Sequence, residues 1–444
     1  MIRIFKNINF QQRFFLIFAV IIFVFAFSFI LKSLFPFAQL LLIIGLLAAF
    51  FDAMLLFSDN VAFDAERSHS NLLSLGDKNK IHIRIRNKSN YKFNLKIIDE
   101  LPVQLQIRDF AMYMEIDKKE SKNLEYEIFP TSRGKYLFGN IHIYIHSRLG
   151  LVSRKISFET ESEIAVYPSI IQMKKYELNA IKSFNKMLGF KKIRQIGHSY
   201  EFEQIKNYIP GDDNRSVNWK ASSRRGELMV NQYEQERLQQ VYSVIDKSRS
   251  MKMPFNGLSL LDYAINSSLV ISNISLQKYD RAGLLSFSDR IGSVIKADNR
   301  KNQLTNILQA LYNEKEHNLE ANYELFYSGV RNLIKGRSLI FLYTNFESIY
   351  ALERVLPILR KINKLHLLVV MFFENTDLKD ISEKESATVM DIYTQTIARK
   401  QLIEKTLIQQ ELLKHGIQAI KSKPEELSIN TINKYLELKA RGMI

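Results

Sequence analysis

At 444 residues with a formal net charge of +16 and no cysteine, the chain is long enough for two or three separately packed domains. The missing cysteine excludes disulfides, thiolate nucleophiles, cysteine-ligated zinc and iron–sulfur clusters together. The excess of lysine and arginine suits an anionic partner, either nucleic acid or a lipid surface.

The N-terminus points to the lipid surface. From Phe14 to Leu31 the chain reads FFLIFAVIIFVFAFSFIL, and from Leu34 to Phe51 it reads LFPFAQLLLIIGLLAAFF. Each run is long enough to cross ~30 Å of hydrocarbon as a helix. A basic leader of Arg3, Lys6 and Arg13 would also suit a cleaved signal peptide, but no small-x-small site follows and a second span does. The same three cations, with no acid before them, put the N-terminus in the cytoplasm. A two-helix transmembrane hairpin is therefore expected over 1–58. Its outward turn would run from Lys32 to Pro36, and a cytosolic body on the inner face of the cell membrane would follow.

Residues 59–169 alternate apolar and polar at period two, as in IHIRIRN (81–87), NLEYEIFP (123–130) and NIHIYIHS (140–147). This spacing predicts an antiparallel β-sandwich. His142, Tyr144 and His146 share one strand face, and with no carboxylate nearby in sequence they read as a solvated surface. A basic connector comes next, with Lys174, Lys175, Lys182, Lys186, Lys191, Lys192 and Arg194, and together with the segment after it fills 170–236. Its charge suits a solvated helix face or lipid headgroups.

From 237 to 444 strand-like runs alternate with helical spacing. The runs are VYSVID (241–246), AGLLSF (282–287), SLIFLYT (338–344), HLLVVMFF (366–373) and GIQAIKS (416–422). Helices are expected between them, over Leu260 to Leu276, Gln303 to Tyr312, Tyr323 to Ile334, Ile349 to Ile362, Gln395 to His415 and Ser428 to Arg441. The alternation predicts a mainly parallel sheet covered on both faces, with ligands at the carboxyl ends of the strands. Asp246 closes the first of those strands, and Ser248 and Ser250 follow on alternate residues. Oxygen ligands at that spacing suit a hard cation such as Mg²⁺.

Ahead of this sheet lies GHSYEFEQIKNYIPGDDNRSVNWKASSRRGELMVNQYEQE (197–236). Pro210-Gly211 predicts a tight turn, Asp212 and Asp213 can bond local amides, and Trp219 is expected to pack beneath the strand ending near Asn231. Arg215, Lys220, Arg224 and Arg225 interleave with the acids. This segment resembles the signature of the family called domain of unknown function 58, membrane-anchored von Willebrand A-type proteins that accompany MoxR-type AAA+ ATPases in bacteria. Tyr208, Pro210 to Asp213 and Asn218 to Lys220 carry the likeness. So do the apolar hairpin and Pro130, Arg133, Gly134 and Tyr136.

The resemblance implies an α/β von Willebrand A-type, Rossmann-like domain with a metal-ion-dependent adhesion site at Asp246, Ser248 and Ser250. In such domains a Thr-Asp pair closes another strand; here Thr344 and Asn345 stand there. Asn345 offers a neutral carbonyl in place of a carboxylate, which weakens Mg²⁺ binding. Thr305 is the nearest candidate for a further threonine ligand.

No phosphate-cradling loop, His-Glu-x-x-His or Gly-x-Ser-x-Gly element occurs, so no enzymatic activity is expected. The leading expectation is a membrane-tethered adaptor that grips a MoxR-type AAA+ ATPase through the Asp246 loop and the signature residues Tyr208, Pro210, Gly211, Asp212, Asp213, Arg215, Asn218, Trp219 and Lys220. The alternatives are a hydrolase using Asp212 and Asp213 as acid and base, and a basic module for nucleic acid or lipid. The neighbouring cations would keep both acids ionised, which argues against the first. Charge spread along the whole chain argues against a nucleic-acid partner.

Overall fold

In a computed structural model, residues 7–58, 61–147, 149–176, 196–210, 212–234, 239–383 and 388–443 are described. The chain divides into two compact units, Met1–Tyr167 and Pro168–Ile444.

The first unit opens with two apolar helices, Gln12–Ser28 and Phe35–Leu56. With its 3-10 lead-in, the second forms a helical stretch Lys32–Leu56 of 25 residues, long and apolar enough to cross a membrane; the first, at 17 residues, is shorter. The predicted turn lies earlier than expected. Lys32–Leu34 already coils, and Pro36 sits in the first turn of the second helix, where its missing N–H has no partner to lose. Gly45 lets the helices approach, since a Cβ there would meet Ile21 Cδ1 at 3.2 Å.

Both helices are tied to one β-strand, Val152–Phe158. Ile8–Phe10 pairs with it in front of the first helix, and Gln11 Nε2 donates to Ser153 Oγ at 2.7 Å. At the far end of the second helix, buried Asp52 accepts the Leu151 and Val152 amides at 3.0 Å each and the Ser147 hydroxyl. Arg154 Nη1 donates to the terminal Leu56 carbonyl at 2.9 Å.

The remaining strands of the unit form antiparallel and mixed sheets. A five-stranded antiparallel sheet runs in the order Ile8–Phe10, Val152–Phe158, Ile141–His146, Phe93–Asp99, Met112–Ile116. Phe63–His69, Asn79–Asn87 and Ser121–Ile128 make a three-stranded one. In a third sheet, Ser162–Tyr167 pairs parallel with Leu72–Ser74 and antiparallel with Gly134–Phe138. Period-two alternation buries Ile81, Ile83 and Ile85 on one strand and Ile141, Ile143 and Ile145 on another. Buried Arg67 spans strands of different sheets: it pairs with Asp99, which also accepts from Tyr126, and donates to the Thr160 and Gly139 carbonyls at 2.9 Å each. His142 departs from expectation. Its face is half-buried, and the fold brings up a carboxylate that the linear sequence keeps distant, with Nε2 lying 2.7 Å from Glu100 Oε1.

The second unit holds a six-stranded sheet in the order Ile291–Asp298, Arg281–Phe287, Gln240–Asp246, Leu339–Tyr343, Leu367–Phe373, Gln418–Ser422. Every pairing is parallel except that of Ile291–Asp298, an edge strand the sequence reading missed. Numbered along the chain the order is 3-2-1-4-5-6, so the winding reverses between Gln240–Asp246 and Leu339–Tyr343.

Successive side chains feed two cores. Val241, Ile245, Phe341 and Met371 pack with the helices Leu260–Gln277, Gln303–Asn313 and Leu427–Ala440. Val244, Leu342 and Val370 pack with Tyr323–Leu333, Ile349–Leu365 and Val389–Lys414. That last helix starts earlier than predicted because Thr388 and Asp391 form a capping box, and the short helix Thr376–Glu383 precedes it unforeseen. Of the connector, residues 170–176 are helical and Met173 enters the first of these cores, whereas Lys182, Lys186, Lys191, Lys192 and Arg194 lie outside the described residues.

Replacing Asp52 with alanine strands two buried amides, which costs about 1–3 kcal/mol for each. Hydrogen exchange of the full chain should show the Leu151 and Val152 amides losing protection while those of Ile81 and Ile83 keep theirs. Unchanged exchange at Leu151 and Val152 would show that the carboxylate does not hold this end of the helix.

Candidate functional site

Parallel strands buried on both faces leave only their ends open to solvent chemistry. Asp246 lies at the carboxyl end of the first strand and Thr344 directly follows the fourth, on either side of the reversal in winding. The two side chains meet there. Thr344 Oγ1 donates to Asp246 Oδ2 at 2.7 Å and lies 2.9 Å from the buried Tyr323 hydroxyl. The other carboxylate oxygen accepts the Ser248 amide at 2.9 Å, an Asx turn that folds the loop back over the strand end. Asp246 is only 1% exposed, and burial pushes its carboxyl up against the pull of these hydrogen bonds. Ser248 Oγ and Ser250 Oγ are 3.1 Å apart, so the Asp-x-Ser-x-Ser residues do converge.

Asn345 behaves otherwise than expected. Its carbonyl oxygen, anticipated as a cation ligand, accepts the Lys405 ammonium at 2.7 Å, and its amide donates to the Ser250 carbonyl at 3.3 Å. Lys405 also donates to the Phe346 carbonyl, and burial brings its pKa down to about 8. Thr305 lies exposed on the helix Gln303–Asn313. The oxygens of Asp246, Ser248, Ser250 and Thr344 have the chemistry of a Mg²⁺ site but supply a single carboxylate, and Asn345 is committed to a lysine. Among the described residues no three His, Asp or Glu side chains are arranged to hold a metal.

Polar bonds brace the loop from below. Lys247 pairs with Glu314 at 2.8 Å, both nearly fully buried, and Glu314 also accepts from Ser286 and from the Ser293 amide. A Cβ at Gly292 would fall 2.3 Å from Ser286 Oγ and 2.5 Å from Lys247 Nζ, so the ion pair requires a glycine there. Beside it, His317 Nδ1 lies 3.1 Å from Ser288 Oγ and 3.0 Å from Asp289 Oδ1. A hydrolytic relay needs serine and aspartate on opposite ring nitrogens; here both face one, so the trio is a structural clasp. The segments connected to the loop carry exposed side chains: Leu319, 58% exposed, whose carbonyl accepts the Arg249 amide at 3.1 Å, Tyr350, 74% exposed, and Arg249 and Arg354, which flank Glu320 at 3.3 and 3.6 Å.

The signature forms a hairpin of Ile196–Asn207 and Met229–Glu234 with the short helix Trp219–Arg225 at its tip. Asp212 pairs with Lys206 at 2.8 Å, a hydrogen bond that lowers its pKa, and accepts the Ile209 amide at 3.0 Å. Asp213 accepts the Arg215 amide at 3.0 Å, Asn218 caps the helix through the Ala221 amide, and Tyr208 donates to Asn214 at 3.4 Å. Pro210, Arg215 and Lys220 are exposed, and Gly211 lies outside the described residues. Trp219 does not pack beneath the strand. As the first helical residue after its cap it is exposed, while Met229 and Val230 at the start of the strand are buried.

Sequence reading found the Asp246 loop but not the roles of Tyr323, Lys405 and His317, which lie far off in the chain and belong to no local motif. The clasp has a pH signature. Asp289 is held down at about 2, chiefly by its bond to His317, against roughly 3.9 in an unfolded chain. A depressed carboxyl stabilises the fold above the unfolded value and loses that contribution as pH falls through the folded one. Chemical denaturation of wild type and Asp289→Asn should therefore differ near neutral pH and converge between about 4 and 2. A difference that persists below that window would show that the carboxylate is not the clasp.

Residues 204–406 match the family profile described as "Protein of unknown function DUF58". The uncharacterized protein YeaD of Bacillus subtilis (strain 168) is 27% identical over 184 residues, which are 40% of this chain and 46% of that protein, so less than half of the relative's length is matched. Among solved structures, proximal thread matrix protein 1 from the mussel byssus covers 46% of this chain and 46% of its own at 11% identity and a TM-score of 0.27. A CARDB domain from Pyrococcus furiosus covers 24% of this chain and 88% of its own at 12% identity and a TM-score of 0.19. Scores this low fix no fold. The family match, by contrast, takes in the Tyr208–Lys220 signature, the Asp246 loop and Asn345, so the similarity to that family extends across the candidate site.

Proposed function

We propose that this protein is a membrane-anchored adaptor. Its two apolar helices enter the bilayer as a two-pass hairpin in the cell membrane, and the folded body stays in the cytoplasm. The six-stranded unit acts as a von Willebrand A-type domain and takes a protein partner on the carboxyl ends of its strands. The resemblance of the signature segment makes a MoxR-type AAA+ ATPase the partner of choice, so nucleotide hydrolysis belongs to that partner. A tether of this kind raises the effective concentration of a soluble ATPase beside membrane substrates.

One observation carries the reading. Asp246 and Thr344 are joined at the reversal of strand winding, where open α/β sheets bind, and the segments connected to that loop carry exposed Arg249, Leu319, Tyr350 and Arg354. Tyrosine and arginine over a braced, buried centre are the residue types that dominate interface energies. With one carboxylate in the loop and Asn345 taken by Lys405, Mg²⁺ joins only when a partner carboxylate completes the shell.

Co-purification from membranes tests this. Tyr350→Ala, and separately Asp246→Ala with Ser248→Ala, should weaken ATPase binding roughly thirtyfold, the effect of losing ~2 kcal/mol at a hot spot, and lower its recovery accordingly. The Tyr350 variant should do so without loss of thermal stability. Chelation should weaken the complex if Mg²⁺ bridges it. Full recovery with both variants would refute the loop as the contact surface.

A further inference from the structure

The segment that joins the two signature strands carries the chain's only tryptophan on its outside. Trp219 is 72% exposed, Ile209 59% and Leu228 50%, all within that segment. Such side chains scattered singly would need no explanation, but these sit among exposed cations. Arg215, Lys220, Arg224 and Arg225 are all exposed and have no ion-pair partner among the described residues.

The acids of the segment are engaged elsewhere. Asp212 is taken by Lys206 and the Ile209 amide, Asp213 accepts the Arg215 amide, and Glu227 accepts from Asn207 at 3.2 Å. The helix Trp219–Arg225 itself presents three cations and no carboxylate.

Hydrogen bonds hold the helix against the second signature strand. The Asn218 amide donates to the Met229 carbonyl at 2.8 Å, and its side chain bonds Asn231 at 2.8 Å. Ser222 Oγ accepts the Met229 amide at 2.9 Å, and Gly226 ends the helix at a φ of 73°. An aromatic ring on a preorganised support, flanked by free cations, is a built surface.

We propose that this segment docks on an anionic bilayer, with Trp219 seated at the boundary of headgroups and acyl chains and Lys220, Arg224 and Arg225 against the lipid phosphates. The proposal rests on the reading of the apolar helices as a membrane anchor. The indole has an apolar body and one N–H, which suits that boundary. Each basic residue beside an anionic leaflet adds roughly fivefold to the affinity. The complementarity extends to the whole chain, whose net charge is +16 and which carries a helix apolar enough to enter the same bilayer. Docking would give the second unit its own contact with the membrane, separate from the anchor of the first.

Because Trp219 is the only tryptophan, its fluorescence reports on this segment alone. The full chain is reconstituted into phosphatidylcholine vesicles with and without phosphatidylserine, using brominated acyl chains as quencher. With phosphatidylserine, Trp219 emission should shift to the blue, and bromine should quench it several-fold more than in the neutral vesicles. Arg224→Glu with Arg225→Glu, or high salt, should return emission to the red and abolish the quenching. Vesicle flotation checks the anchor separately. A chain that floats with Trp219 unquenched refutes the docking and leaves the anchor standing; a chain that does not float refutes both. Quenching that ignores the charge reversal, or a blue shift that appears only when cytosolic protein is added, also overturns the proposal, the latter by assigning the segment to a protein partner.

Discussion

A sheet that is apolar on both faces must be covered on both, and everything distinctive about the second unit follows from that demand. Val241 and Ile245 point into one core and Val244 into the other, so no side chain along the strand is free for other work. Chemistry is displaced to the strand ends, and the reversal of winding parts the loops most widely between the first and fourth strands. Asp246 occupies that gap at the cost of burying a carboxylate, which is offset by the Ser248 amide and the Thr344 hydroxyl. Lys247, next in sequence, is buried with Glu314 in a pocket that only a glycine at 292 leaves open. Removing either partner would strand a charge, so the loop is fixed by its neighbours more than by its own bonds.

The first unit answers a different constraint. Its apolar helices are fastened at their ends to a single strand of the five-stranded sheet. Ile8–Phe10 and Gln11 bind that strand before the first helix; Asp52 and Leu56 bind it after the second. Among the described residues, the helices are thus joined to the β-strands by hydrogen bonds at both ends of the pair. Arg67 then carries the link onward, since its guanidinium touches Asp99, Thr160 and Gly139 on different strands and loops.

Lys405 alters the chemistry anticipated for the site. Where a second carboxylate would have shared a divalent cation, an amide shares an ammonium brought in by the long helix Val389–Lys414. A lysine supplies one positive charge without the strict coordination that Mg²⁺ demands, at the cost of burial that holds its pKa at about 8. The loop thus has its shape set by the protein itself, through Thr344, Lys405 and the buried Lys247–Glu314 pair.

Periodicity in the sequence determined the apolar helices, the β-rich middle and five of the six strands in the later sheet, because alternation and helical spacing are properties of neighbours in the chain. The edge strand Ile291–Asp298 escaped: an edge is buried on fewer sides, and its glycine and serine blur the pattern. The Asp-x-Ser-x-Ser loop was legible for the same reason as the strands, since its oxygens lie within five residues of one another. Only the tertiary structure decided that Asn345 faces Lys405, that Thr344 bonds Asp246, that Glu100 reaches His142 and that Trp219 faces outward. The first three contacts join residues 42 to 98 positions apart, and their partners are chosen by strand order and burial, which no local spacing encodes. Trp219 is the converse case. Its size and apolarity predict burial, but it starts the short helix Trp219–Arg225 and lies exposed, while Met229 and Val230 of the following strand are the buried side chains there.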